Sequence, residues 1–392
     1  MRDESLSRLF PGAPSDLGTT RRDLDSVHSD ILWSDGQGGG LQLNSVLPAL
    51  LEAAYRLYVL DKKDTATEYL QYTKLILQQA QALARGDTVE VPYIVGLSNI
   101  SLGSDEQLNL AFGRITPPDP SALRLITRGT QSIEQRISAV LHASFPLKLL
   151  DIKPWDPTQS SHTEEEEKLL SRLSEYRRAA DRRIDLSRFA LLLTSRETLI
   201  GTPIVLSAIL LPVSQGSSFG VNIASNAPVP PVTLDGDMAT EAESWSHKLA
   251  ANQPHSLDVG MRRLLSAVTV RFDPADGLVD AVICWENMFG TAQETRFRVC
   301  GAMAKILEPA SPAKRGQLNK ELKRIYDVRS KLVHGSHKVP GPREAAGDRD
   351  KALLYALDSI RKLHGRPDLL AITGSADRST TLLLDLAPAQ KE

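Results

Sequence analysis

QLNKELKRIYDVRSKLVHG, the stretch from Gln317 to Gly335, has the spacing of an amphipathic helix. Leu318, Leu322, Ile325, Val328 and Leu332 recur every three or four residues, so one stripe of the helix is apolar and meets a core. Arg329 falls near the middle of that stripe. A buried guanidinium without a counter-charge costs several kcal/mol, so Arg329 requires a carboxylate partner or a cleft that admits an anion. Glu286 is the candidate partner. It belongs to LVDAVICWENMFG (278–290), a predicted helix apolar around most of its circumference, with Asp280 and Asn287 as its other polar side chains.

His334 directly precedes Gly335, the residue type that most readily ends a helix in the left-handed conformation. Five residues of ideal helix set His334 about 140° around from Arg329. Either the helix end turns the imidazole, or a second subunit completes the pair. The same Arg-x(4–6)-His spacing occurs at Arg22/His28, in a polar arm, and at Arg136/His142, leading into a predicted strand. Context separates Arg329/His334 from these: an Arg in an apolar stripe, a His at a Gly-terminated helix end, and helices on all sides.

Around this stretch the pattern is helical almost throughout, over 237–252, 257–271, 276–289, 292–307, 314–334 and 348–364. The Pro-, Ser-, Gly- and Asn-rich segment SQGSSFGVNIASNAPVPPVTLDG (214–236) predicts a boundary before it. The expected organisation is therefore a polar arm over 1–42, an α+β domain of unknown type over 43–235, and a helical domain over 236–392 with its core at 257–370. Residues 43–85 carry apolar residues at helical spacing and predict two helices. Strands are expected between 89 and 150, in VEVPYIVGL, QLNLAFGRI and AVLHASFPLKLL. TEEEEKLLSRLSEYRRAADRR, from Thr163, has Glu in its first turn and Arg later, which suits the helix dipole. A strand is expected in PIVLSAILLPV (203–213).

The chain has 392 residues, 41% hydrophobic and 24% charged, enough for two globular domains. Its net charge of −2 provides no global field for nucleic acid or anionic membrane, so an RNA-binding surface must be a local patch. Cys284 and Cys300 are too few for a disulfide framework and lack metal-ligand spacing; with a charged N-terminus and no run near the ~18 apolar residues of a membrane span, a cytoplasmic protein without membrane attachment, metal or cofactor is expected.

Three further patterns carry less chemistry. Gly216-Ser217-Ser218-Phe219-Gly220 fits a hydrolase nucleophile elbow, but VNIASNAPVPP cannot start the helix that must come after it. Gly36 to Gly40 lacks the Lys-Ser/Thr pair of a phosphate-cradling loop. Arg177, Arg178, Arg182, Arg183 and Arg188 alternate with carboxylates and read as a salt-bridged face, with RNA contact as a secondary role.

The stretch beginning at Met261, MRRLLSAVTVRFDPADGLVDAVICWENMFG, then TRFRVCGAMAKILEP, then LKRIYDVRSKLVHG, resembles the Apea-like branch of HEPN domains over about 110 residues. The fold class it implies is an α+β N-terminal region followed by an all-α HEPN-type helical bundle. The resemblance implies a homodimer through the bundle, with Arg329 holding phosphate and His334 as acid/base of a metal-independent endoribonuclease of a defence or toxin–antitoxin system. The alternative is an inactive module for dimerisation or for binding RNA or protein. Glu286, Ser330 and Tyr326 are supporting candidates, and Lys331, His337 and Arg324 are candidate RNA contacts. Ser330 stands where active members often carry Asn, Asp or His. The N-terminal region is expected to sense a trigger or restrain the nuclease, with a regulatory protein as a candidate partner.

The residue types alone suit the same chemistry. Metal-free RNA cleavage needs a group that exchanges a proton near neutral pH, which His supplies, and a fixed cation on the phosphate, which Arg supplies.

Overall fold

The computed structural model describes residues 31–33, 46–103, 107–127, 130–151, 164–212, 217–221, 227–335 and 341–386. In chain order its main elements begin with α1 (Val46–Leu60), α2 (Ala66–Ala84), β1 (Val89–Leu97), β2 (Ile100–Leu102), β3 (Gly113–Thr116), β4 (Ala139–Leu147), α3 (Glu164–Thr194), β5 (Ile204–Leu210), β6 (Ser217–Val221) and β7 (Val232–Leu234). Next come α4 (Gly236–Asn252), α5 (Asp258–Thr269), α6 (Pro274–Phe289), α7 (Thr295–Leu307), α8 (Pro312–Val333), α9 (Pro342–His364) and α10 (Ser375–Leu384). The N-terminal half is thus mixed around an antiparallel sheet, and the C-terminal half is mostly helical.

These elements fall into two units that interleave along the chain. The first comprises Met1–Leu97, Gly113–Ile184 and Ile204–Ile223; the second comprises Ser98–Phe112, Asp185–Pro203 and Ala224–Glu392. The composition of the sequence predicts one cut between 235 and 236. It reveals a linker-like segment there, but not that the distant pieces 98–112 and 185–203 join the C-terminal helices.

In the first unit the strands run in the order β3-β4-β1-β5-β6, antiparallel throughout. β1 is central, pairing with β4 from Val89↔Leu147 to Leu97↔Ala139 and with β5 from Tyr93↔Ile209 onward. Residues Tyr93 to Leu97 are all buried, which accounts for a continuous apolar run in place of alternation. Pro92 lacks an N–H and stands just before the β5 ladder begins. Beside the sheet, α1 and α2 pair, and a reciprocal Thr65–Glu68 cap starts α2. The expected run of strands over 89–150 is interrupted: Pro120–Thr127 and Gln131–Glu134 are helical, the former with Pro at its first position, where its missing N–H costs nothing.

In the second unit α6 is the central helix, packed by α5, α7, α8, α9 and α10. Its Leu278, Ala281, Val282, Trp285, Met288 and Phe289 are fully buried, and the Trp285 Nε1–H donates to the Ala352 carbonyl at 3.1 Å. Leu186, Phe189, Leu192 and Leu193 of α3 enter the same core. The predicted helix at 163–183 therefore continues to Thr194. Its last carbonyls are answered by Arg361 of α9, whose Nε and Nη2 donate to Leu193 O at 3.1 and 3.0 Å, with Nη2 also reaching Ser195 O at 2.6 Å. β2 pairs in parallel with β7, Ile100 opposite Val232. Asn99 beside it donates from Nδ2 to Gly201 O at 3.1 Å and Val229 O at 3.3 Å.

Beyond its first turn, each polar side chain of α6 has its own partner. Asp280 is buried and held by Arg263 at 3.0 Å and Arg271 at 2.8 Å. Asn287 accepts the Gly260 N–H at 2.9 Å and donates to Ser256 O at 2.9 Å. A Cβ on Gly260 would stand 2.8 Å from Asn287 Oδ1 and 3.0 Å from Cys284 Sγ, so only glycine allows α5 this approach.

α10 lies beyond 348–364, the last helix that the spacing predicts. It is fixed by Arg378, which has no exposed surface and donates to the carbonyls of Met288 at 2.8 Å, Leu369 at 3.1 Å and Ile372. Burial lowers its pKa to about 10. Among the described residues no helix is long and apolar enough to cross a membrane.

Candidate functional site

The site is built on the C-terminal half of α8 where it crosses α6. Ser311 caps the start of α8 by accepting the Lys314 N–H at 3.3 Å, and Pro312 occupies its first position. The stripe facing the core is the one the spacing predicts: Leu322 and Ile325 are buried, and Leu318, Val328 and Leu332 pack partly buried against the same core. At the other end the His334 N–H donates to Ser330 O at 3.0 Å, and Gly335 ends the helix at φ +68°.

Arg329 rises from that stripe to meet Glu286 of α6. Its Nη2 donates to Glu286 Oε2 at 3.1 Å, and the Tyr326 hydroxyl donates to Glu286 Oε1 at 2.5 Å. The guanidinium carbon also lies 5.9 Å from the centre of the Tyr326 ring. The Arg329 and Glu286 side chains are 18% and 25% exposed, so the pair lies at the edge of the core, within reach of solvent. Burial, and then the hydrogen bond to Glu286, push the Tyr326 hydroxyl pKa up, so Tyr326 remains a donor at any physiological pH. The Arg329 Nε is buried without a partner, and Nη2 to Glu286 is the guanidinium's one hydrogen bond among the described residues. Nη1 makes no hydrogen bond among the described residues, which leaves its donors for an anion at the solvent edge.

The other predicted residues divide clearly. His334 is exposed at the helix end, and among the described residues no hydrogen bond or ion pair joins it to Arg329 or Glu286. Ser330 contributes its carbonyl to the His334 cap. Lys331 is exposed in the last turn. Arg324 is committed elsewhere, forming a two-pronged bond to the buried Asp348 at 3.0 and 2.5 Å, and that bond raises its pKa further. His337 lies outside the described residues.

Of the other patterns, Ser217 and Ser218 open strand β6 and so have no helix after them, while Gly216 and Gly36 to Gly40 lie outside the described residues. Arg177 pairs with Asp181, Arg183 with Glu90 and Arg188 with Asp185. Cys284 and Cys300 are buried and free, and burial pushes both thiols up, Cys300 to about 12. Neither is a nucleophile near neutral pH. Among the described residues no three of His, Cys, Asp and Glu gather as a metal site.

Two acidic residues that matter to this region were not singled out from the sequence. Asp348 ties α9 to α8 through Arg324, and Glu321 accepts from Lys351 and Tyr355, each at 2.7 Å. Glu321 carried one signal, its i, i+3 spacing to Arg324, which is common to most surface helices, and Asp348 carried none. No family model, curated protein or solved structure matches the chain.

Proposed function

We propose that the protein is a HEPN-type endoribonuclease that cuts RNA without a metal, with Arg329 as the phosphate-binding residue and His334 as the acid/base. The observation that supports this most is the placement of Arg329: it is set in an apolar stripe, aimed by one oxygen of Glu286, and 18% exposed with one hydrogen bond among the described residues. A residue serving stability alone would be expected to spend its guanidinium on the core, as Arg378 does.

In the proposed reaction the RNA 2′-oxygen attacks the adjacent phosphorus and the P–O5′ bond breaks. This yields a 2′,3′-cyclic phosphate and a 5′-hydroxyl. Arg329 neutralises charge that builds on the non-bridging oxygens, and His334 moves the proton at the attacking or leaving oxygen. Tyr326 and Glu286 act as positioning residues. With the two motif side chains about 140° apart on one helix, the active form is a homodimer in which a second copy completes the pair. Lys331 and His337 are proposed RNA contacts, the first unit is a sensing or regulatory region, and the setting is cytoplasmic, in defence or a toxin–antitoxin pair.

A second reading rests on one specific observation. The Arg329 side chain is only 18% exposed and already holds a carboxylate, which suits a binding module that has no turnover. Incubating the purified protein with total RNA and tRNA in EDTA, beside Arg329→Ala and His334→Ala variants of matched stability, separates the two. Cleavage by the wild type alone, leaving cyclic-phosphate ends, is the expected result. Equal inertness of all three while RNA still binds would establish the binding module.

A further inference from the structure

The helical unit has a concave surface whose lining includes neither Arg329 nor Glu286. It is a groove of about 800 Å³ bordered by the ends of α7 and α9, the start of α8 and the middle of α4. Sites that hold small molecules commonly measure about 300–1,000 Å³.

Its lining is mixed in a specific way. Arg196, Lys248 and Lys362 bring three cations, and none of them forms an ion pair among the described residues. Lys248 rests instead over the Trp245 ring, 4.8 Å from its centre. Asp358 is already bound to Arg361 at 2.6 Å, which leaves Glu241 and Glu308 as the open carboxylates. The apolar wall is Leu307, Leu318 and the ring of Tyr355, whose hydroxyl is taken by Glu321.

His364 adds an acceptor. Burial, and then the Lys248 charge, lower its pKa to about 4, so it is neutral in the cell. Its Nε2–H donates to Gln253 Oε1 at 3.0 Å, and a neutral imidazole has one N–H, so Nδ1 carries a free lone pair. The groove therefore presents cations for an anion, acceptors for an N–H group, and a flat apolar wall.

Inorganic phosphate would satisfy the cations and be repelled by Glu241 and Glu308. A nucleotide with an amino-bearing base uses all three features: phosphate on the Lys and Arg side chains, ring against Leu307, Leu318 and Tyr355, and amino group on a carboxylate, the pairing by which Glu and Asp read cytosine. We propose that this groove binds a nucleotide whose base carries an amino group, either free or as a unit of single-stranded RNA. The groove's own residues carry this assignment, independently of the role given to Arg329.

The full-length protein is titrated calorimetrically with CMP, AMP, UMP, inorganic phosphate and a 2′-O-methyl oligocytidine, which lacks the hydroxyl that cleavage needs. CMP or AMP should bind about tenfold or more tightly than UMP and phosphate, the loss expected for one or two unmade charge-assisted bonds. Lys362→Glu and Glu241→Gln should each weaken CMP and AMP binding several-fold at unchanged melting temperature. Binding of the oligomer alone identifies RNA as the source; binding of the mononucleotide as well identifies the free nucleotide. No saturable binding of any nucleotide or oligomer, or binding indifferent to both Lys362→Glu and Glu241→Gln, would overturn the proposal.

Discussion

Glu286 holds Arg329 through a single oxygen, Oε2 at 3.1 Å, because the other oxygen is occupied by Tyr326. The carboxylate therefore aims the guanidinium without saturating it. Glu286→Ala should cost about 1–3 kcal/mol, between a surface and a buried ion pair, and should abolish RNA cleavage. Tyr326→Phe should cost about 1 kcal/mol and lower cleavage only a few-fold, since Arg329 keeps its partner. Urea denaturation and an RNA cleavage assay on the two variants check this; full activity in Glu286→Ala would remove Glu286 from the site.

Arg324 and Lys331 lie seven residues apart on α8 but should respond differently to substitution. Arg324 answers the buried Asp348, so Arg324→Gln strands a carboxylate and should lower stability by about 1–3 kcal/mol with RNA affinity unchanged. Lys331 is exposed, so Lys331→Gln should leave the melting temperature alone and weaken RNA binding. Thermal melts beside filter binding distinguish the two.

His142 in the first unit and His364 in the second both have pKa values lowered to about 4, chiefly by burial. The unfolded chain, with histidines near their ordinary 6.5, binds more protons than the folded one between those values. Stability should be full above pH 6.5 and fall as the pH drops toward 4, by about 2–3 kcal/mol per histidine. A His142→Gln/His364→Gln variant should show a flatter fall in melting temperature over that range. An equally steep fall would mean that other groups dominate.

Arg378→Met should be among the most destabilising substitutions in the helical unit. It retains apolar bulk but leaves the carbonyls of Met288, Leu369 and Ile372 without their donor, at a cost of about 2–4 kcal/mol. Hydrogen exchange should report the loss first as opening of α10. Unchanged protection there would show that Arg378 does not fasten the helix.

Much of the helical unit was legible because its signals are local. The stripe from Leu318 to Leu332, the Gly335 terminus and Asp280, Glu286 and Asn287 of α6 are all visible at helical spacing, and each of those three polar residues proved to have a partner. Glu286 was identifiable because a carboxylate in an apolar helix and a guanidinium in another need each other. Asp280's partners were not identifiable, since Arg263 and Arg271 look like ordinary surface cations until α5 folds back on α6. The groove was invisible for the same reason: its residues are drawn from Arg196 to Gly365 and carry no shared motif. The membership of 98–112 and 185–203 in the helical unit was not legible because Leu186, Phe189, Leu192 and Leu193 read as one apolar helix face, whose partner helices lie far along the chain.

The hold of Arg361 on the carbonyls of Leu193 and Ser195 has a consequence for how the chain matures. Contacts spanning 166 and 168 residues close slowly, since loop closure precedes any gain from them. On the ribosome, Phe189, Leu192 and Leu193 emerge well before the helices that cover them, so an apolar face waits on a nascent protein that cannot yet bury it. Slow, chaperone-sensitive completion of the helical unit, after the sheet has formed, is the order of events this connectivity imposes.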